Sequence, residues 1–268
     1  MAKRIGMIAG SGDIPKQIID QAEKQGYVCT VAAIKGEHDA SLLDHVETLK
    51  WFDVDKVREV AEFFKDQGIK EAFFAGKIDV MVLFRRKRFG KLAFNLLMRG
   101  KDWSPATLIH TAIDYFLKQG IDIIDPTIFL SPYFCRAGVF TKTCPNKQDQ
   151  EDISFGWDKA KILADQDIGQ TLIVKNKIVV AVEGAEGTNE TISRAGDLIG
   201  DGFVVIKRTR THQDPRIDLP GVGLETVKRL VKAGGKVLCF EADKMPFFQK
   251  NEAIQLADMN NVSILARH

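Results

Sequence analysis

The residues best suited to chemistry gather between Lys207 and Gly223. That stretch holds the cations Lys207, Arg208, Arg210 and Arg216, the carboxylates Asp214 and Asp218, and His212 beside Gln213. Such cations hold phosphates, and such carboxylates bind a metal ion or orient a water molecule. Pro215 and Pro220 stiffen the stretch, while Gly221 and Gly223 allow close backbone approach. A charged surface loop is the plainer alternative. The alternating charge, held by prolines in a stretch too long for a simple turn, favours function.

A second group is Glu183-Gly184-Ala185-Glu186-Gly187-Thr188, directly after an apolar run. Carboxylates suit Mg2+, and glycine amides with a threonine hydroxyl suit a phosphate. A plain turn rarely carries this combination. A third is Gly10-Ser11-Gly12, between an apolar run and a helical pattern. There, bare N–H groups and the positive end of a helix would face an anion. The third glycine of G-x-G-x-x-G falls on Pro15, however, and Lys35 and Gly36 stand where an acidic residue should close the second strand. The dinucleotide fingerprint is therefore absent. Anion contact and an ordinary strand–helix turn stay equally open.

Gly76-Lys77 also follows an apolar run, but Glu71 and Ile78 occupy positions that a P-loop gives to glycine and to serine or threonine. Lys77 remains a candidate phosphate contact against the commoner alternative of a solvated lysine. Arg85-Arg86-Lys87-Arg88 leads into the apolar pattern Phe89 to Met98. Cations beside such a helix suit an anionic amphiphile or a membrane surface, though a core helix with a solvated basic start is favoured. His38, His45, His110 and His268 fit no ligand spacing, and neither G-x-S-x-G nor H-E-x-x-H occurs.

These groups need elements to position them. Strands are expected at Arg4 to Ala9, Tyr27 to Ile34, Glu71 to Ala75 and Gly120 to Asp125. Helices between them run from Ile14 towards Gly26, from Val54 to Gln67 and from Ala106 to Gln119, with Asp13 as an N-cap. Nearly all-apolar strands alternating with helices predict a parallel sheet covered on both faces. The fold class is therefore α/β, with a Rossmann-like N-terminal domain over residues 1–130. Prolines and a polar run mark 131–150 as a linker region. A mixed α/β C-terminal domain follows over 151–268. It begins with a helix from Asp152 to Asp165, then a hairpin of Thr171 to Val174 with Ile178 to Val182. Helices follow over Glu190 to Ile199, Gly223 to Ala233 and Asn251 to Asn260, and strands over Gly202 to Lys207, Lys236 to Glu241 and Val262 to Ala266.

Composition excludes several classes. The chain has 268 residues, 45% hydrophobic and 28% charged, which is ordinary globular composition with room for a sizeable core. The 38 Lys+Arg against 36 Asp+Glu leave +2, which rules out a nucleic-acid coat, so no nucleic-acid partner is expected. No run approaches a membrane span or a signal peptide. Cys29, Cys135, Cys144 and Cys239 show no C-x-x-C spacing, consistent with a reduced, cytoplasmic protein.

Taken together, Gly6 to Pro15, Ala75-Gly76-Lys77, Asp167-Ile168-Gly169-Gln170, Ala181 to Thr188 and Gln213 to Gly223 resemble the LpxI family, the UDP-2,3-diacylglucosamine pyrophosphatases of lipid A biosynthesis. The motifs stand in family order and span nearly the whole chain. The resemblance implies a Rossmann-like N-terminal domain and a C-terminal domain of a fold particular to the family. It implies Mg2+-dependent hydrolysis of UDP-2,3-diacylglucosamine to UMP and 2,3-diacylglucosamine 1-phosphate (lipid X). It also implies action at the cytoplasmic face of the inner membrane, peripherally, and a homodimer. The family's catalytic aspartate, in D-x-R-x-D-x-P, falls on Asp218. Thr209 to His212 departs from the pattern, since relatives often carry a lysine-proline pair there.

This chemistry assigns roles to the candidates. Asp218 would bind Mg2+ or activate water, with Asp214 and Glu183 assisting. Arg216, Lys207 and Lys77 would hold phosphates. Gly10, Ser11, Gly12, Thr188 and Gln213 would offer neutral hydrogen bonds to substrate. Phe89 to Met98 would meet the acyl chains. The alternatives are a non-catalytic nucleotide- or lipid-binding module and a nucleotide-sugar oxidoreductase. The missing third glycine weighs against the oxidoreductase.

Overall fold

The structure, a computed structural model, describes residues 2–12, 14–35, 46–76 and 105–268. They divide into two units. One is Met1–Ser131 with Asp214–Asp218, the other Pro132–Gln213 with Leu219–His268.

In the first unit the apolar runs form strands β1 (Lys3–Ala9), β2 (Tyr27–Ile34), β3 (Thr48–Phe52), β4 (Glu71–Ala75) and β5 (Asp122–Ile123). Their order is β3-β2-β1-β4-β5, and every neighbouring pair is parallel. This is the order of a doubly wound sheet. The helices are α1 (Ile14–Lys24), α2 (Val57–Asp66) and α3 (Pro105–Lys118). Val60, Ala61 and Phe64 of α2 and Ile113 and Phe116 of α3 close over Ile8, Ala32, Ala72 and Ile123 of the sheet. Strand β3 escapes sequence reasoning because it is an edge strand. Only Phe52 of its five residues is fully buried, so the apolar signal is weak. The predicted strand 120–125 shortens to two residues for the same reason.

The second unit forms β6 (Gly138–Val139), α4 (Lys147–Asp165), β7 (Thr171–Lys175), β8 (Ile178–Val182), α5 (Thr188–Ile199), β9 (Val204–Lys207), α6 (Leu224–Lys232), β10 (Val237–Glu241), α7 (Lys250–Met259) and β11 (Ser263–Arg267). The sheet order is β6-β11-β10-β9-β7-β8. Strands β9, β10 and β11 are parallel, whereas β7 runs antiparallel to both β8 and β9. Alternate residues serve opposite faces. Val204, Ile206, Val237 and Cys239 meet Ile153, Trp157 and Ala160 of α4. Val205, Leu238 and Phe240 meet Ile192, Val227, Leu230 and Ala253 of the other three helices.

Residues 131–150, expected as a linker, carry structure. Asn146 and Asp149 form a reciprocal capping box that starts α4 at Lys147, five residues before the expected Asp152, and β6 pairs with β11. The hairpin turn is fixed from a distance. Buried Asp152 accepts the amides of Asn176 (2.8 Å) and Lys177 (2.7 Å), both left-handed at φ 52° and 59°. Among the described residues no helix is long and apolar enough to cross a membrane.

Lys77, Arg85 to Arg88, the pattern Phe89 to Met98, Asp13, Gly36, His38 and His45 lie outside the described residues.

Candidate active site

Sheet topology assembles one group in the second unit. Because β8 and β9 both run antiparallel to β7, both their carboxyl ends arrive at its first residue, Thr171. Lys207 is paired with Thr171 in register, and the Glu183 amide donates to the Thr171 carbonyl at 2.9 Å. Helix α5 begins at Thr188, five residues on. Its hydroxyl donates to Glu183 Oε1 (2.9 Å) and lies 3.3 Å from Thr171 Oγ1. Lys207 Nζ donates to Thr188 Oγ1 (3.2 Å) and to the Gly221 carbonyl (2.9 Å).

Lys207 is 8% exposed, and no ion pair to it is present among the described residues. A buried ammonium whose direct hydrogen-bond partners are neutral oxygens is costly and attracts an anion. The N-terminal end of α5 adds positive potential to the same place. Glu183 Oε2 is buried and finds no hydrogen-bond partner among the described residues. Thr188 is occupied: its one proton points at Glu183 while its oxygen accepts from Lys207.

Gly169 explains part of the Asp167-Ile168-Gly169-Gln170 motif. A Cβ there would lie 2.1 Å from the Glu183 carbonyl oxygen, so only glycine fits beneath this backbone. Gly169→Ala is expected to destabilise the protein by about 1–3 kcal/mol and to displace Glu183. An unchanged melting temperature would show that the close approach is unimportant.

In the first unit, Gly10 donates its amide to the Ala75 carbonyl at 2.7 Å. Gly76 has φ +80°, and a Cβ on it would lie 2.6 Å from the Ser11 carbonyl oxygen. The Gly10-Ser11-Gly12 turn therefore rests against the end of β4, beside the start of α1.

Residues Asp214 to Asp218 also belong to this unit. Ile217 packs against the apolar cluster that includes Phe52, Val60 and Phe64. Arg216 forks onto Asp214, Nε to Oδ1 at 3.0 Å and Nη2 to Oδ2 at 2.8 Å, and its amide also donates to Oδ1 at 3.0 Å. This grip holds the Asp214 carboxyl below the ordinary carboxylate range despite partial burial. Both Asp214 oxygens thus accept from Arg216, so the carboxylate orients the guanidinium. Asp218 is exposed, its amide bonded to the Asp214 carbonyl at 3.2 Å.

Gln213 accepts from the Arg210 amide (3.3 Å), and His212 is exposed. The start of the loop is tied to α4. Lys161 donates to the Thr209 carbonyl (2.8 Å), and Asp165 accepts both the amide (2.6 Å) and the hydroxyl (2.8 Å) of Thr211.

One residue escaped sequence reasoning. Glu241, 3% exposed at the end of β10, accepts from Arg208 (3.1 Å), from the Thr209 amide (2.9 Å) and hydroxyl (2.8 Å), and from Lys244 (3.0 Å). Arg208 lies over the Trp157 ring, 4.2 Å from its centroid. Burial raises the Glu241 pKa, but these bonds outweigh it and bring it down to about 2. The only sequence signal was an acid closing an otherwise apolar strand.

Family models settle the relationship. The model of the LpxI N-terminal domain matches residues 4–133, and that of the LpxI C-terminal domain matches residues 136–265. The chain belongs to the LpxI family. The UDP-2,3-diacylglucosamine pyrophosphatase LpxI of Caulobacter vibrioides, a hydrolase, is 27% identical over 273 residues, covering 96% of this chain and 94% of that one. Likeness to solved structures is slight. The biotin carboxylase domain of a thermophilic 2-oxoglutarate carboxylase is 12% identical, with TM-score 0.27, over 70% of this chain and 36% of that one. An N5-carboxyaminoimidazole ribonucleotide synthetase is 9% identical, with TM-score 0.29, over 72% and 44%. Neither carries an argument about fold or function.

Glu183, Thr188, Lys207, Asp214, Arg216 and Asp218 all fall within the LpxI C-terminal domain by sequence, although residues 214–218 pack with the first unit. Among the described residues no group of three or more His, Cys, Asp or Glu side chains could hold a metal ion. The described residues by themselves therefore form no all-protein Mg2+ cage. Mg2+ carried on substrate phosphates needs only one or two carboxylates, and the unpartnered Glu183 Oε2 fits that mode in this LpxI chain.

Proposed function

We propose that this chain hydrolyses the pyrophosphate of UDP-2,3-diacylglucosamine to UMP and 2,3-diacylglucosamine 1-phosphate (lipid X), an Mg2+-dependent step of lipid A biosynthesis. Family membership supports the substrate. The observation that carries the chemistry is Lys207, a buried ammonium without a counter-ion among the described residues at the N-terminal end of α5.

Cleaving a pyrophosphate builds negative charge on the departing phosphate, and cations placed in advance lower that barrier. Lys207 would hold a phosphoryl oxygen in a site shielded from water. Arg216, oriented by Asp214, would hold another through the edge of its guanidinium that Asp214 leaves open. Asp218, on which the resemblance puts the family's catalytic aspartate, would activate the attacking water or bind the ion. Glu183 would hold Mg2+ through Oε2. When bound, Mg2+ supplies neutralisation of the leaving phosphate's charge. The Gly10-Ser11-Gly12 turn would donate amides to the substrate. Because substrate and product carry acyl chains, the reaction would occur at the cytoplasmic face of the inner membrane.

The test is product analysis by phosphorus NMR, with the purified chain, UDP-2,3-diacylglucosamine and Mg2+. UMP and lipid X are expected in equal amounts. EDTA should slow release at least about tenfold, with recovery on adding Mg2+, since a metal ion contributes several kcal/mol to such a transition state. Binding without UMP release would instead indicate a non-catalytic module. NAD-dependent conversion of the sugar would indicate an oxidoreductase.

A further inference from the structure

The Lys207–Thr188–Glu183 arrangement has an unusual feature. An ammonium and a carboxylate both bond to the same hydroxyl, yet no direct ion pair joins them among the described residues. Opposite charges this close in a buried place ordinarily collapse onto each other. Here the Thr188 hydroxyl bridges them. Its oxygen accepts from Lys207, which forces its proton towards Glu183 Oε1. Thr171 Oγ1 also lies within hydrogen-bonding distance of the Thr188 hydroxyl, at 3.3 Å. Among the described residues Glu183 Oε2 has no partner, and Lys207 donates to two, Thr188 and Gly221.

We infer that Thr188 is a positioning residue, a hydroxyl spacer that holds Lys207 and Glu183 apart so that each keeps one valence for a phosphate–cation ligand. This differs from a direct substrate contact, because the Thr188 hydroxyl has no proton left to donate. The backbone supports the assignment. Gly187, at φ +82°, places Thr188 as the first residue of α5, and no side chain caps that helix. The Thr188 side chain, a type common at helix caps, points instead into the cluster. The catalytic part of this inference rests on the proposed hydrolysis; the structural part does not.

Two substitutions test it. Thr188→Val keeps the shape and deletes the hydroxyl, and Thr188→Ser keeps the hydroxyl. In a crystal structure of Thr188→Val, Lys207 Nζ is expected within 4 Å of a Glu183 oxygen. That variant should lose at least about tenfold in kcat for UMP release with KM changed less than about threefold, because a Lys207 paired with Glu183 no longer meets the charge that builds on the departing phosphate, a loss felt in the transition state more than in binding. Its Mg2+ requirement should rise. Thr188→Ser should restore the separation and most of kcat. The inference is overturned if Lys207 and Glu183 stay apart in the valine variant, or if that variant raises KM alone, the mark of a direct substrate contact. If the wild-type chain releases no UMP, the proposed hydrolysis fails, and the crystal structures still decide the spacer role.

Discussion

Asp218→Ala is expected to lower UMP release by about 10²–10⁴-fold, the range for loss of a group that activates water or transfers a proton. The fold should survive. Asp218 is exposed, and the turn that carries it is held by backbone bonds and by Ile217 packing beneath it. Its melting temperature should therefore match that of the wild type within about a degree, because exposed substitutions usually cost under about 0.5 kcal/mol. Asp214→Ala is a useful contrast. It frees Arg216 from its fork, so it should raise KM and weaken phosphate binding more than it lowers the chemical step. A purified Asp218→Ala protein with near-normal Mg2+-dependent hydrolysis would remove Asp218 from the mechanism.

The second large effect concerns stability. Glu241→Leu should destabilise the protein by about 3–5 kcal/mol, because it strands a buried guanidinium over Trp157 and leaves the Thr209 amide without its acceptor. Glu241 also makes stability depend on pH. Its folded pKa of about 2 lies below the ordinary value of 4.5, so its contribution is complete above that ordinary value. It is lost as pH falls from there towards 2. At about 1.4 kcal/mol per unit the contribution is about 3 kcal/mol. Urea unfolding at neutral pH and near pH 3 should show about 2 kcal/mol of this loss in the wild type, since the rest goes only below pH 3, and a much smaller drop in Glu241→Gln. Equal slopes in the two proteins would show that Glu241 does not govern the acid limb.

Much of the scaffold was legible because it follows from local pattern. Ile178 to Val182 and Thr171 to Val174 flank a polar pair, so a hairpin was readable. Val57, Val60, Ala61 and Phe64 recur at helical spacing, so a helix there was readable. Strand β3 was not, because one edge strand with Lys50 exposed carries little apolar signal. The capping box at Asn146 was readable in principle but lay inside a proline-rich stretch that looked like a linker. Among the candidate residues, the types at Glu183, Thr188, Lys207, Asp214, Arg216 and Asp218 were visible in advance, and their partners were not.

The sequence by itself determined the alternation of strands and helices, the glycine turns that only glycine could fill, and membership of the LpxI family. Each depends on residue order and side-chain size, which a linear text contains. Tertiary structure decided which charges meet. Antiparallel pairing brings Lys207 beside Thr171 and so beside Glu183 and Thr188, whereas Asp214 turns onto its own neighbour Arg216. It also made Glu241 the anchor of Arg208 and Thr209, because β9 and β10 end side by side. The reason is physical. A buried charge is stable only with a partner, and sheet register, not distance along the chain, determines which partner lies within hydrogen-bonding reach.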